Sequence, residues 1–463
     1  MPNVVISRVP VTMLGSAVAF FSVLVITADF HLAALVFILI IMGFSKSAKA
    51  ELPLIQAMIG LYLYLFVFRF LVLTIYKVTP KLGRVVISLE DMRNMLLLIS
   101  YEALVIILVF RAFKSTNPEN PAKKILSDWL SSRNATLLLN ILFVCTLMGF
   151  FLMLVTTGSI FTLVDVLFSH RKISVTQEPV WQLGLTLWSL FSTPFLTLSL
   201  LRYLKLQNTG IFRVFPIQAF LILAIFVLVF GGRLGILISC VIAFSLSRYL
   251  GFYLRKSWIF LGVACVLVFL MIGNARTQTV NDFFDLKKTL ISATYPVLDA
   301  AALASSSPSD IPDQLKSGDR FSAYAISFIP RFLWPEKPLL TSLTLDTQIA
   351  QVFGYENQRG VTGWPSGFAT EPYLIGGVYG VFIYAVFLGL LLKIVVMRLN
   401  SRNTSRLEGI EFVAQYSLFY FLIAIMKDGD TLAAIQSGIR LFIWLSALLV
   451  IVRSWQKLSQ KGV

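Results

Sequence analysis

Six charged side chains and two tryptophans in the second half of the chain carry most of the chemistry open to this sequence: Arg233, Arg331, Glu371, Lys427, Asp428 and Arg440, with Trp334 and Trp364. Arg233 stands in "VFGGRLGIL", where two glycines are the only break between two apolar runs. An arginine in hydrocarbon costs several kcal/mol by any scale, so Arg233 either snorkels to headgroups or faces a cavity and binds an anion such as a diphosphate. The glycines let a ligand or another backbone come close. Arg440 belongs to "IQSGIRLFIW", just after "MKDGD", which holds Lys427, Asp428 and Asp430. A helix hairpin needs a polar turn in any case, but with Arg440 the segment sets two cations and two carboxylates at one membrane level. Glu371 lies between Thr370 and Pro372 at a helix start. It can favour the helix dipole there, or accept a proton from a hydroxyl as a general base. Trp334 and Trp364 are loop aromatics, suited to interface anchoring or to stacking on sugar rings. In "FIPRFLWPEKP" three prolines fix backbone angles, so Arg331 and Trp334 are held in shape.

The elements that must position these residues are apolar. Of 463 residues 57% are hydrophobic and 13% charged, with a mean hydropathy of +0.82; soluble domains carry about 25% charged residues. This is an all-α polytopic membrane protein by composition, read as one integral membrane domain over 1–463. The net charge of +16 does not mark a nucleic-acid binder, because the basic residues fall in short gaps between apolar runs rather than on a soluble basic face. Cys145, Cys240 and Cys265 all lie inside apolar stretches, which speaks against a disulfide or redox motif. His31 and His170 are the only histidines and stand far apart, so no metal-ligand cluster and no cofactor are expected. Arg8 precedes an apolar run without a small-residue cleavage site, which predicts a retained first helix.

A spanning helix needs about 20 mostly apolar residues. About twelve transmembrane helices are expected, near 10–28, 30–44, 53–76, 93–110, 136–156, 181–201, 212–231, 234–250, 258–274, 371–392, 410–426 and 437–452. Arg69, near the end of the third, snorkels or points inward. Lys and Arg crowd alternate connections, and by the positive-inside rule both termini are cytoplasmic. The connection 77–92 dissents, with Lys77, Lys81 and Arg84 only partly offset by Glu90 and Asp91. The stretch 275–370, between helices 9 and 10, then forms one large loop on the far side, the periplasm of a Gram-negative cell. An amphipathic helix is expected in it around 281–303, followed by the loop "SSSPSDIPDQ".

Four segments together resemble one family. "FIPRFLWPEKP" resembles the Ile-Pro-x-x-x-Trp-Pro-x-x-Pro signature in the periplasmic loop of Wzy-type O-antigen and enterobacterial common antigen polymerases. "GGRLG" resembles their Gly-x-Arg element, "KDGDTLAAIQSGIR" their basic-acidic-Gly turn with a following Arg, and "WPSGFATEPYLIGGVYG" the entry to the helix after the large loop. The matches keep the family's order and cover mainly 228–445. The resemblance implies a GT-C-like, metal-independent glycosyltransferase of the bacterial inner membrane. Donor and acceptor would be undecaprenyl-diphosphate-linked oligosaccharides, membrane lipid the surroundings, and a Wzz-type chain-length co-polymerase a partner. Arg233 and Arg440 would hold the diphosphate, helped by Arg331 or Lys427. Glu371 or Asp428 would be the base, and Trp334 and Trp364 would meet sugar. Paired Arg-x10-Gly loops described for some members are missing, since Phe244 and Ser342 occupy the glycine positions.

Two other readings stay in view. An O-antigen ligase has a similar helix count and late loop, but places a histidine in that loop, and this chain has none after His170. A lipid-linked oligosaccharide transporter would spread charged residues along many helices, whereas those here gather at one membrane face.

Overall fold

The computed structural model describes residues 9–44, 52–78, 81–82, 85–112, 121–169, 178–206, 215–225, 233–251, 368–401, 409–428 and 430–461, with the isolated residues 326, 329 and 334. In chain order the helices are α1 (Val9–Thr27), α2 (Phe30–Phe44), α3 (Leu52–Tyr62), α4 (Arg69–Ile75), α5 (Leu89–Ala112), α6 (Pro121–Leu130), α7 (Arg133–Thr157), α8 (Ile160–Ser169), α9 (Pro179–Leu206), α10 (Phe215–Ile225), α11 (Arg233–Leu250), α12 (Thr370–Ser401), α13 (Ile410–Asp428) and α14 (Thr431–Lys461). A π-helical turn, Leu63–Phe68, joins α3 to α4 without a break. The one strand pairing among the described residues is a two-residue antiparallel ladder, β1 (Lys81–Leu82) with β2 (Val85–Val86). The dissenting basic connection therefore contains a short hairpin.

Among the described residues six helices are long and apolar enough to cross a membrane: Leu54–Ile75, Leu89–Ala112, Arg133–Thr157, Pro179–Leu206, Thr370–Met397 and Thr431–Gln456. Only 28% of the last and 39% of Thr370–Met397 is buried, although both are apolar. Val25, Phe161 and Tyr379 are at least 80% exposed. A bundle whose outer surface is as apolar as its core has hydrocarbon as its solvent, and the protein is a helical membrane protein. Of the twelve expected spans, 258–274 lies outside the described residues, as does the helix expected over 281–303. Ser16–Thr27, Phe30–Met42, Ile238–Ser247 and Ile410–Met426 are apolar but shorter than a full crossing.

Side-chain contacts sort the helix ends into two levels. At one end, Arg111 of α5 donates to the Met42 carbonyl at the close of α2. Lys205 donates to Ser127 at 2.6 Å, and Arg202 to the Ser132 carbonyl. Here α6 lies as an amphipathic helix with Lys123, Lys124 and Asp128 exposed and Leu126, Trp129 and Leu130 buried. Trp129 stacks on Phe412 (5.6 Å between centroids) and fills the space beside Gly409, where a Cβ would stand 2.6 Å from the indole. At the other end, Asp29 in the α1–α2 turn caps α2 through the Leu32 N–H and pairs with Arg93 of α5 at 2.6 Å. Ser88 and Asp91 form a reciprocal cap on α5.

Desolvation raises the Asp29 pKa, but the Leu32 N–H and the Arg93 guanidinium outweigh it, so the carboxyl sits below its ordinary 3.8. A depressed folded-state value means the pair stabilises at pH above the ordinary carboxylate range and loses that contribution as pH falls through the folded value. The stability difference between the protein and Asp29→Asn is accordingly expected to be constant from roughly pH 5 to 8, to shrink as pH falls below the ordinary carboxylate value, and to be gone only below the depressed folded value, followed by thermal unfolding in detergent.

Two interfaces depend on glycine. In the α7–α9 crossing, a Cβ on Gly149 would stand 2.7 Å from both the Gly184 carbonyl and the Trp188 amide, and one on Gly184 would stand 2.8 Å from the Gly149 carbonyl. Along the parallel α5–α12 pair, a Cβ on Gly389 would stand 3.0 Å from the Ile106 carbonyl, and one turn on Lys393 holds its ammonium 5.0 Å over the Phe110 ring. Near its start α12 is interrupted: Gly376 (φ −144°, ψ 19°) and Gly377 (φ 58°, ψ −146°) leave helical geometry. The Gly377 conformation is open essentially to glycine alone. The short turn 370–375 folds back until the Pro372 carbonyl packs on Gly380, which has no room for a Cβ.

Candidate functional site

The interrupted helix carries Glu371 to the head of α14. Glu371, 8% exposed, accepts through one oxygen both the Thr431 N–H and the Thr431 hydroxyl, each at 3.1 Å. The Thr431 hydroxyl is also 2.8 Å from the Tyr384 hydroxyl on α12. With its proton given to Glu371, Thr431 can only accept here, so Tyr384 donates. The result is a directed chain, Tyr384 to Thr431 to Glu371, that ties both parts of α12 to the first turn of α14.

Asp430 caps the same helix, its Oδ1 accepting the Ala433 N–H at 2.9 Å. Glu102 on α5 is fully buried and, with the nearly buried Glu371 and Asp430, lies within electrostatic range of Tyr384. Each carboxylate placed at a helix N-terminus also meets the positive end of the helix dipole. Among the described residues no group of His, Cys, Asp and Glu is arranged to hold a metal ion.

Arg440 lies two and a half turns into α14, half-buried, on a helix that packs along α13. An aromatic ladder at i, i+4 spacing, Phe412–Tyr416–Tyr420, runs along α13 toward it. Arg233 is the first residue of α11. Ser239 donates to the Thr193 carbonyl, Thr193 meets Tyr416 at 2.7 Å, and Gly438 packs on Phe421. With a rise of 1.5 Å per residue, these pairings set the backbones of Arg233 and Arg440 within about 10 Å of one depth. Lys427 and Asp428 close α13, three residues before Thr431, with side chains outside the description. Trp334 is 38% exposed; Arg331 and Trp364 lie outside the described residues.

The structure thus brings Glu371, the α13–α14 turn and Arg440 to one end of the bundle. Tyr384, Thr431 and Glu102 join them unannounced. Glu102 had a visible signal, a single acid inside an apolar run. Tyr384 and Thr431 had none, since what marks them is a partner 47 or 60 residues away. Arg69 resolves inward: it is 3% exposed and directly follows the π-turn, a feature often found at functional sites.

Thr431→Val keeps the backbone bond to Glu371 but removes both hydroxyl bonds, leaving the half-buried Tyr384 hydroxyl without this acceptor. A loss of about 1–3 kcal/mol in unfolding free energy is expected, read from denaturant unfolding in micelles. Compared with protein-family models, curated proteins and solved structures, the chain matches none of them.

Proposed function

We propose that the protein is a polymerase that joins undecaprenyl-diphosphate-linked oligosaccharide repeat units into a long surface polysaccharide. It would work at the periplasmic face of the bacterial inner membrane, as a GT-C-like enzyme of about twelve spans with both termini in the cytoplasm. The observation that carries the reading is the contact of Glu371 with the head of α14, at the end of the bundle opposite the basic α6 layer, which joins two of the four segments that resemble the Wzy-type polymerases. Basic residues at the α6 end support that end as cytoplasmic by the positive-inside rule.

In this mechanism the terminal hydroxyl of an acceptor repeat unit attacks the anomeric carbon of the donor glycan. The bond from that carbon to the diphosphate oxygen breaks, and undecaprenyl diphosphate leaves. Arg233 and Arg440 offset charge that develops on the diphosphate, with Arg331 or Lys427 assisting. Glu371 or Asp428 takes the proton of the attacking hydroxyl; for Glu371 the Thr431 and Tyr384 hydroxyls hold the carboxylate in position. Trp334 and Trp364 stack on sugar.

Deleting the gene in its host and resolving the surface polysaccharide by electrophoresis tests the reading. A polymerase leaves a product with a single repeat unit; complete loss of glycan from lipid A indicates a ligase, and unchanged long chains refute both.

A further inference from the structure

On the outer surface of the bundle, α5 and α12 leave an open cleft of about 350 Å³ lined by Asn94, Leu98, Tyr101, Val378 and Phe382. It begins where the Gly376–Gly377 interruption ends, so the break in α12 shapes its upper wall. Both helices are long and apolar enough to span, which turns the cleft toward hydrocarbon rather than water. Its lining is almost wholly apolar, yet its rim is polar. The Tyr101 hydroxyl is hydrogen-bonded to His31, Asn94 is exposed, and Arg93 stands beside it, paired with Asp29.

The connection that leads into α5 is the one that breaks the charge rule. It holds Lys77, exposed at the end of α4, and Lys81 on β1, and the sequence adds Arg84. Asp91, one of the two acids there, is committed to capping α5. Lys77 and Arg93 stand at the same end of the bundle as the cleft, a placement complementary to a lipid with an anionic head. On the inner side of α12, two residues from Phe382, lies Tyr384 with its chain to Glu371.

We propose that this cleft is a second lipid subsite, which seats the isoprenoid chain of the acceptor, with the acceptor's diphosphate at the Lys77–Arg93 rim. The identity of the lipid rests on the polymerase reading. The reaction consumes two diphosphate lipids, and Arg233 with Arg440 serves only the donor. The cleft lies on α12, the helix that also carries Glu371.

Native mass spectrometry of the full-length protein in phosphatidylcholine nanodiscs, titrated with undecaprenyl diphosphate, counts the sites. Two bound lipids are expected for the protein and one for Val378→Trp, which fills the cleft from a position already 48% exposed and outside the core. Lys77→Ala with Arg93→Ala is expected to weaken the second binding step by about tenfold, more at low salt than at high. Two lipids still bound to Val378→Trp, or displacement of the second lipid by equimolar phosphatidylglycerol, overturns the proposal. The lipid count is independent of polymer formation. A gene deletion that leaves long chains intact would remove the polymerase reading and the acceptor role while leaving a measured second lipid site in place.

Discussion

Arg440→Ala, in a protein that still inserts, is expected to cut chain elongation by about 10²–10³-fold, the usual loss when one fixed charge is removed from a developing anion. The measurement is polysaccharide length on a gel, with insertion checked by the amount of membrane-extracted protein. Several features make Arg440 the most exposed test. It is half-buried, so its charge acts through a medium of lower dielectric than water. It is carried by a helix whose first turn is fixed by Asp430 and Glu371, so the guanidinium is placed before substrate arrives. Arg440→Lys keeps the charge but not the two-pronged geometry, and an intermediate loss is expected. Long chains from a well-inserted Arg440→Ala protein would remove the diphosphate assignment.

Gly149→Leu is expected to prevent stable assembly altogether. The α7–α9 crossing brings backbone against backbone, with the Gly184 carbonyl and the Trp188 amide 2.7 Å from where a Cβ would sit. No rotamer change relieves a clash with main chain, so the helices must separate. Separation breaks the packing of Phe150 on Trp188 and of Phe143 on Phe195 on either side. Small residues at such crossings are what bring membrane helices close enough for dispersion to hold them. The expected readout is loss of the folded peak in size-exclusion chromatography from mild detergent. Gly149→Ala falls between, since even the smaller group is closer than van der Waals contact. By contrast Gly60, with nothing within 4 Å of a built Cβ, is expected to accept alanine without loss.

Where an apolar run is long, its helix was legible. The runs read at 93–110, 136–156 and 181–201 extend in the structure to Leu89–Ala112, Arg133–Thr157 and Pro179–Leu206. The caps extend them, because Ser88 and Ser132 sit outside the apolar stretch they terminate. What hydropathy cannot show is change of geometry within an apolar run. The π-turn at Leu63–Phe68 and the break at Gly376–Gly377 are apolar like their surroundings. The helix α6 was hidden for the opposite reason: Lys123, Lys124 and Asp128 read as a connection, and the buried face of Leu126, Trp129 and Leu130 is too short to stand out. For the site, Arg440 and Glu371 were visible as charges in apolar context. The role of Glu371 as a bridge to α14 was not, since it depends on a fold-back of α12 and on a partner sixty positions later.

The π-turn between α3 and α4 has a consequence for chain length. An i→i+5 turn holds one residue more than the α-helical turn it replaces. Tyr62 below it bonds Ser100, and Arg69 and Leu73 above it are buried. Those two faces agree only because the surplus residue is looped into Leu63–Phe68. A chain shortened by one residue within that turn keeps both faces inward as a plain α-helix. The same deletion at Ile59 or Leu71 turns one half of the helix by about 100° against the other. The turn is thus the one stretch of this helix where the gene can lose a codon without rotating Arg69 into lipid.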